Sequence, residues 1–150
     1  MIYQGDRIVS VITNSAAVAT AAGVSSMVGR VSMKIGEVDQ FAQVNMGRLP
    51  CVYVSQVSVD YEFQAEPTHF GTRTSDWNIT MLVPTFINRS GNQYQKLEAM
   101  KMAILTALTA EGGLGVTDVR EENPEVAQMV TRMTFRVSTE TSYQNDYQEG

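Results

Sequence analysis

The sequence predicts an α+β fold: a mostly antiparallel sheet with a long β-hairpin and two α-helices packed on one face. Three patterns carry that expectation. Two long stretches alternate apolar and polar residues with the two-residue period of half-buried strands. Two others repeat apolar residues at helical spacing. The strands also come in runs rather than in strict strand–helix–strand alternation, which favours antiparallel pairing with the helices on one side. The 150 residues, 43% of them hydrophobic, suffice for one packed core. The domain is expected to span residues 1–139, with a polar C-terminal tail over 140–150.

Taken in order, Asp6 can cap a first helix in which Ile8, Val11, Ile12, Ala16 and Ala19 recur on one side, with Gly23 as its stop. The alanine-rich second half gives a narrow stripe that can approach another element closely. Residues 30–35, Arg-Val-Ser-Met-Lys-Ile, alternate as a half-buried strand, and a weaker strand is expected through Val38, Phe41 and Val44. Pro50 then forces a break, because it pushes Leu49 towards extended geometry and cannot donate inside a paired strand. Beyond it, Cys51, Tyr53, Val57, Val59, Tyr61 and Phe63 are expected on one strand face, and Gln56, Ser58, Asp60 and Glu62 on the other.

Residues 64–73 hold Pro67, Gly71 and the single histidine, and read as a projecting loop of ten residues. A partner strand follows, with Trp77, Ile79, Met81 and Val83 on one face and Asn78 and Thr80 on the other. After a turn at residues 88–92, a second helix is expected over 93–109, burying Tyr94, Leu97, Met100, Ile104, Leu105 and Leu108 and stopped by Gly112-Gly113. A short strand over 116–120 and an acidic turn over 121–124 lead to a last alternating run with Met129, Met133, Phe135 and Val137. No internal repeat is present.

Composition narrows the function classes. Eleven Lys and Arg against sixteen Asp and Glu give a formal net charge of −5, the wrong sign for a phosphate-neutralising groove. One Cys and one His cannot build a four-ligand zinc site, and Cys51 reads as a small apolar strand residue. His69 stands in a polar loop with no nucleophile elbow elsewhere, and Gly113-Leu114-Gly115 follows a helix, the reverse of a dinucleotide loop. Asp118, Glu121, Glu122 and Glu125 crowd a turn without the spacing of a calcium loop, and Asp60 and Glu62 share a polar strand face as ordinary solvated acids. No cofactor, no metal and no catalytic centre are therefore expected. The N-terminus has no basic segment followed by an apolar run, and no stretch approaches the ~20 apolar residues of a membrane helix. A soluble protein made in a cytoplasm is expected, without a membrane partner.

Two features favour self-association: nine methionines, several on strands and on the second helix, and long strands carrying a loop and a polar tail. The layout also resembles the tail terminator (tail-completion or neck) proteins of long-tailed, lambda-like bacteriophages. The matching stretches are Leu49-Pro50-Cys51-Val52-Tyr53-Val54, Trp77-Asn78-Ile79-Thr80-Met81-Leu82-Val83-Pro84, Leu97-Glu98-Ala99-Met100-Lys101-Met102-Ala103-Ile104-Leu105 and Met129-Val130-Thr131-Arg132-Met133-Thr134-Phe135. The resemblance runs from Asp6 to Tyr143 and rests on element order and hydrophobic pattern.

The resemblance implies a structural virion protein at the head–tail junction, assembled in the bacterial host cytoplasm. It would form a homo-hexameric ring that ends tail-tube growth, with the tail tube protein on one side and the head–tail connector on the other. DNA would pass through the lumen without specific binding, and an acidic wall suits that passage. The contact residues expected for ring and tail are Arg30, Lys34 and Arg48, and Glu66, His69, Phe70 and Arg73 in or beside the hairpin loop. The rival readings are another neck or head-completion component, or a non-viral peptide-binding module that uses an open sheet edge.

Overall fold

The computed structural model describes residues 4–33, 49–63, 70–84, 92–111, 116–121, 125–127 and 130–144. The fold is α+β. In chain order it comprises α1 (Gln4–Asn14), α2 (Ala16–Ala22), β1 (Val31–Met33), β2 (Cys51–Phe63), β3 (Phe70–Pro84), α3 (Asn92–Ala110), β4 (Val116–Glu121), β5 (Glu125–Ala127) and β6 (Val130–Gln144). The strands form one sheet in the order β1-β2-β3-β6-β4, with β5 also paired to β6. Every pair is antiparallel except β1 with β2.

The first expected helix is two helices. Ser15 is extended (φ −82°, ψ 114°) and its Oγ accepts from Val18 N at 3.3 Å, so it caps α2 instead of continuing α1. A serine at that point offers the backbone a local partner that competes with the helical ladder. Asp6, expected as the cap, lies inside the first turn of α1. Gly23 ends α2 as expected: at φ 79° it donates to Thr20 O, while Val24 N donates to Ala19 O, a left-handed cap that favours glycine.

The core lies between the three helices and one sheet face. Ile8, Ile12, Val18, Val52, Val54, Trp77, Ile79, Met81, Leu97, Met100, Ile104, Leu108, Phe135 and Val137 are buried in one cluster. Burying each such side chain contributes about 1.5–3 kcal/mol. The inward residues of β3 and β6 are those the alternation predicts, and α3 buries Leu97, Met100, Ile104 and Leu108 as expected. Tyr94 does not join them; it is 44% exposed. Lys101 takes an inward position instead, its Nζ donating to the Glu98 carboxylate at 3.0 Å.

Strand β2 corrects the face assignment. Val52 and Val54 enter the main core, while Cys51 turns to the opposite side with Leu49, Leu82 and Val130, against which Tyr53 packs. The register passes from Gln56↔Trp77 to Ser58↔Asp76, leaving Val57 as an extra, 43% exposed residue. This β-bulge flips the parity of the strand, so the odd-numbered face expected throughout holds only beyond it, where Val59 stands opposite Ser75.

The paired part of the hairpin is longer than expected. Gly71, Thr72 and Arg73, read as loop, pair with Phe63, Glu62 and Tyr61 inside β3. Residues 140–144, read as tail, continue β6 and pair with residues 70–74 of β3. Their polarity does not stop them, because the ladder is made by backbone groups. The weak strand through Val38, Phe41 and Val44, Met129, Gly112-Gly113 and residues 145–150 lie outside the described residues.

Candidate assembly surface

Strands β2, β3 and β6 are 13, 15 and 15 residues long, and only part of each carries core residues. Among the described side chains of these strands, those of Ser58, Val59, Thr72, Arg73, Thr74 and Glu140 are not part of the main core. The ends of the three strands pair with one another as a ribbon, from Val59↔Ser75 to Phe63↔Gly71 on one side and from Ser75↔Thr139 to Phe70↔Gln144 on the other. At about 3.4 Å per residue, the five residues 70–74 span roughly 17 Å.

Beyond the Leu49, Cys51, Leu82 and Val130 cluster, the described part of the sheet face turned away from the helices is polar and cross-linked. Asp76 sits at its centre, next to the bulge. Its Oδ2 accepts from Ser58 Oγ of β2 at 3.0 Å and its Oδ1 from Ser138 Oγ of β6 at 2.5 Å, so one carboxylate ties three strands. Arg136 Nε donates to Asn78 Oδ1 at 3.2 Å, and the hydroxyls of Thr80 and Thr134 meet at 3.1 Å. No described helix covers this face. Alternation marks Asn78 and Thr80 as its residues, but pairing across strands is a property of the register, which the sequence does not display.

A shallow groove on the helix side is lined by Asp6, Arg7, Ser10, Asn14, Ala107 and Glu111 among others. Arg7 bridges it to Glu111, with Nη2 at 2.8 Å and Nε at 3.2 Å from the same carboxylate oxygen. Beside it the outer side of α3 presents Ala99, Met102, Thr106, Thr109 and Ala110, all exposed, with Met102 at 53%. The two threonine hydroxyls turn back to helix carbonyls, Thr106 to Met102 O and Thr109 to Leu105 O.

The expected contact residues do not converge on one site. Arg30 is half-buried rather than a free surface cation: its Nη1 donates to Leu49 O at 3.0 Å and Pro50 O at 3.4 Å, and its own carbonyl accepts from Val52 N at 2.8 Å. It holds the start of β2 in place. Arg73 and Phe70 belong to the ribbon, where Arg73 is half-buried with an Nε that lacks a hydrogen-bond partner and Phe70 pairs with Gln144. Lys34, Arg48, Glu66 and His69 lie outside the described residues. Cys51 is a buried residue of β2, the strand role expected of it.

Among the described residues, no group of three His, Cys, Asp or Glu side chains is placed to hold a metal ion, and no helix is long and apolar enough to cross a membrane. No family model matches the chain, and no curated protein matches it. Among solved structures it is similar to a chain of the virion of a native gene transfer agent (GTA) particle, at 16% identity and a TM-score of 0.43, covering 89% of this chain and 91% of that one. Similarity at that level assigns no role.

Proposed function

We propose that the chain is a non-enzymatic virion assembly protein of the tail-terminator type. Copies close into a hexameric ring that ends tail-tube growth and presents a surface to the head–tail connector. One observation supports this above the others: β2, β3 and β6 stay paired as three long strands out to Phe63, Phe70 and Gln144, and Asp76 ties the three together through Ser58 and Ser138. A three-stranded extension of this length offers a ring a means of reaching the next copy. The element order agrees with the terminator layout, from the Pro50-initiated strand through the long hairpin and α3 to the closing β6. The contact elements of this reading are the paired ends of β2, β3 and β6, including Phe70 and Arg73, together with residues 64–69.

The contact is heterologous, one surface of each copy meeting a different surface of the next, and rotation closes it. The net charge of −5 keeps DNA from adhering as it passes. Negative-stain imaging of the purified protein mixed with tail tubes tests the role. Rings seated at tube ends, with tubes that no longer lengthen, are expected. Tubes that keep growing with bare ends at saturating protein would refute it.

A further inference from the structure

We propose that α1 is a separately opening element, hinged at Ser15 and closed on the sheet by a half-satisfied polar latch at Gln4. Gln4, the first residue of α1, is 5% exposed and faces Ser75 of β3, at 1%, and Thr139 of β6, fully buried. Trp77 Nε1 donates to Thr139 Oγ1 at 3.0 Å. The Thr139 hydroxyl then has one proton and two acceptors in reach, Gln4 Oε1 and Ser75 O, each at 3.5 Å. It serves one at a time, and both separations lie at the weak limit of hydrogen bonding. Gln4 Nε2 and Ser75 Oγ are buried with no hydrogen-bond partner at all. A buried network closed only in part holds an element less firmly than an apolar contact of the same shape.

The rest of what holds α1 is one short apolar stripe and one exposed ion pair. Ile8 and Ile12 are fully buried, Val9 and Val11 pack half-buried against the core, and the Arg7–Glu111 pair has both side chains more than a third exposed. At its other end the helix stops at Asn14, and α2 has its own cap at Ser15 and its own stop at Gly23. The second helix therefore stays docked while the first lifts about Ser15, and lifting exposes Ile8 and Ile12 together.

Native-state hydrogen exchange on the full chain reads this directly. The α1 amides are expected to exchange through local opening, with protection about ten- to a hundredfold below that of β3 and β6, the ratio set by one or two orphaned buried groups. Exchange of α1 at the same rate as those strands would overturn the proposal. The Gln4→Met variant supplies a sign. It is expected to raise α1 protection while Trp77 emission stays that of a buried indole, because the Thr139 proton passes wholly to Ser75 O. A drop in α1 protection in Gln4→Met would mean that Gln4 anchors the helix tightly, and would equally refute a latch. The wild-type measurement decides the matter if the variant does not fold.

Discussion

Replacing Asp76 by Ala tests how the ribbon is kept rigid. The carboxylate accepts two hydroxyl hydrogen bonds, at 3.0 Å from Ser58 and 2.5 Å from Ser138, at the point where the Val57 bulge interrupts the β2–β3 ladder. A hydrogen bond to a charged group contributes about 1.5–3 kcal/mol when buried. Asp76 is half-buried, so the pair is expected to contribute about 2–3 kcal/mol, discounted for solvent. Urea unfolding followed by the fluorescence of Trp77, the single tryptophan and the neighbour of Asp76, measures the loss. Asp76→Asn keeps one acceptor oxygen and is expected to lose roughly half as much. Ser58→Ala and Ser138→Ala are each expected to cost about 1 kcal/mol, and neither adds its full cost to Asp76→Ala, because their partner is already gone. An Asp76→Ala protein within about 0.5 kcal/mol of wild type, or full additivity with both serine variants, would refute the cross-link.

Three further outcomes follow from the packing. Ile104→Ala, at a fully buried position of α3, is expected to lower unfolding free energy by about 2–5 kcal/mol in the same assay. Gly23→Ala places a side chain at φ 79° and is expected to cost about 1–2 kcal/mol through backbone strain, since its Cβ would meet Lys96 Nζ no closer than 3.4 Å. Arg7→Ala and Glu111→Ala should each cost less than about 1 kcal/mol, and the loss should shrink in high salt, because the pair is solvent-screened.

The element order and the inward faces of β3, α3 and β6 were legible because each follows a strong periodicity: Trp77, Ile79, Met81 and Val83 at spacing two, and Leu97, Met100, Ile104 and Leu108 at spacing three and four. The misreadings share one physical origin. Strand continuation at Gly71, Arg73 and residues 140–144 is decided by backbone pairing with a neighbour far along the chain, and polar side chains leave no trace of it. The Val57 bulge has the same character, since a single extra residue reverses the faces on either side of it without any compositional mark. Ser15 breaks a helix that its apolar spacing favours, because one hydroxyl recaps the chain.

The candidate surface was less legible than the fold. Nothing in the alternating pattern singles out Asp76, and only the register sets it between Ser58 and Ser138. Arg30 stood out as a charge beside a strand, yet its guanidinium is used on the carbonyls of Leu49 and Pro50. What the alternating pattern did carry was the antiparallel β2–β3 hairpin itself, whose pairing runs further than the pattern marks.

The assembly reading rests on ring closure, and native mass spectrometry of the full chain over a range of concentrations tests it most directly. The account predicts a closed species of about six copies, forming alone or on addition of tail tubes. A protein that stays monomeric at high concentration and ignores tail tubes would contradict it.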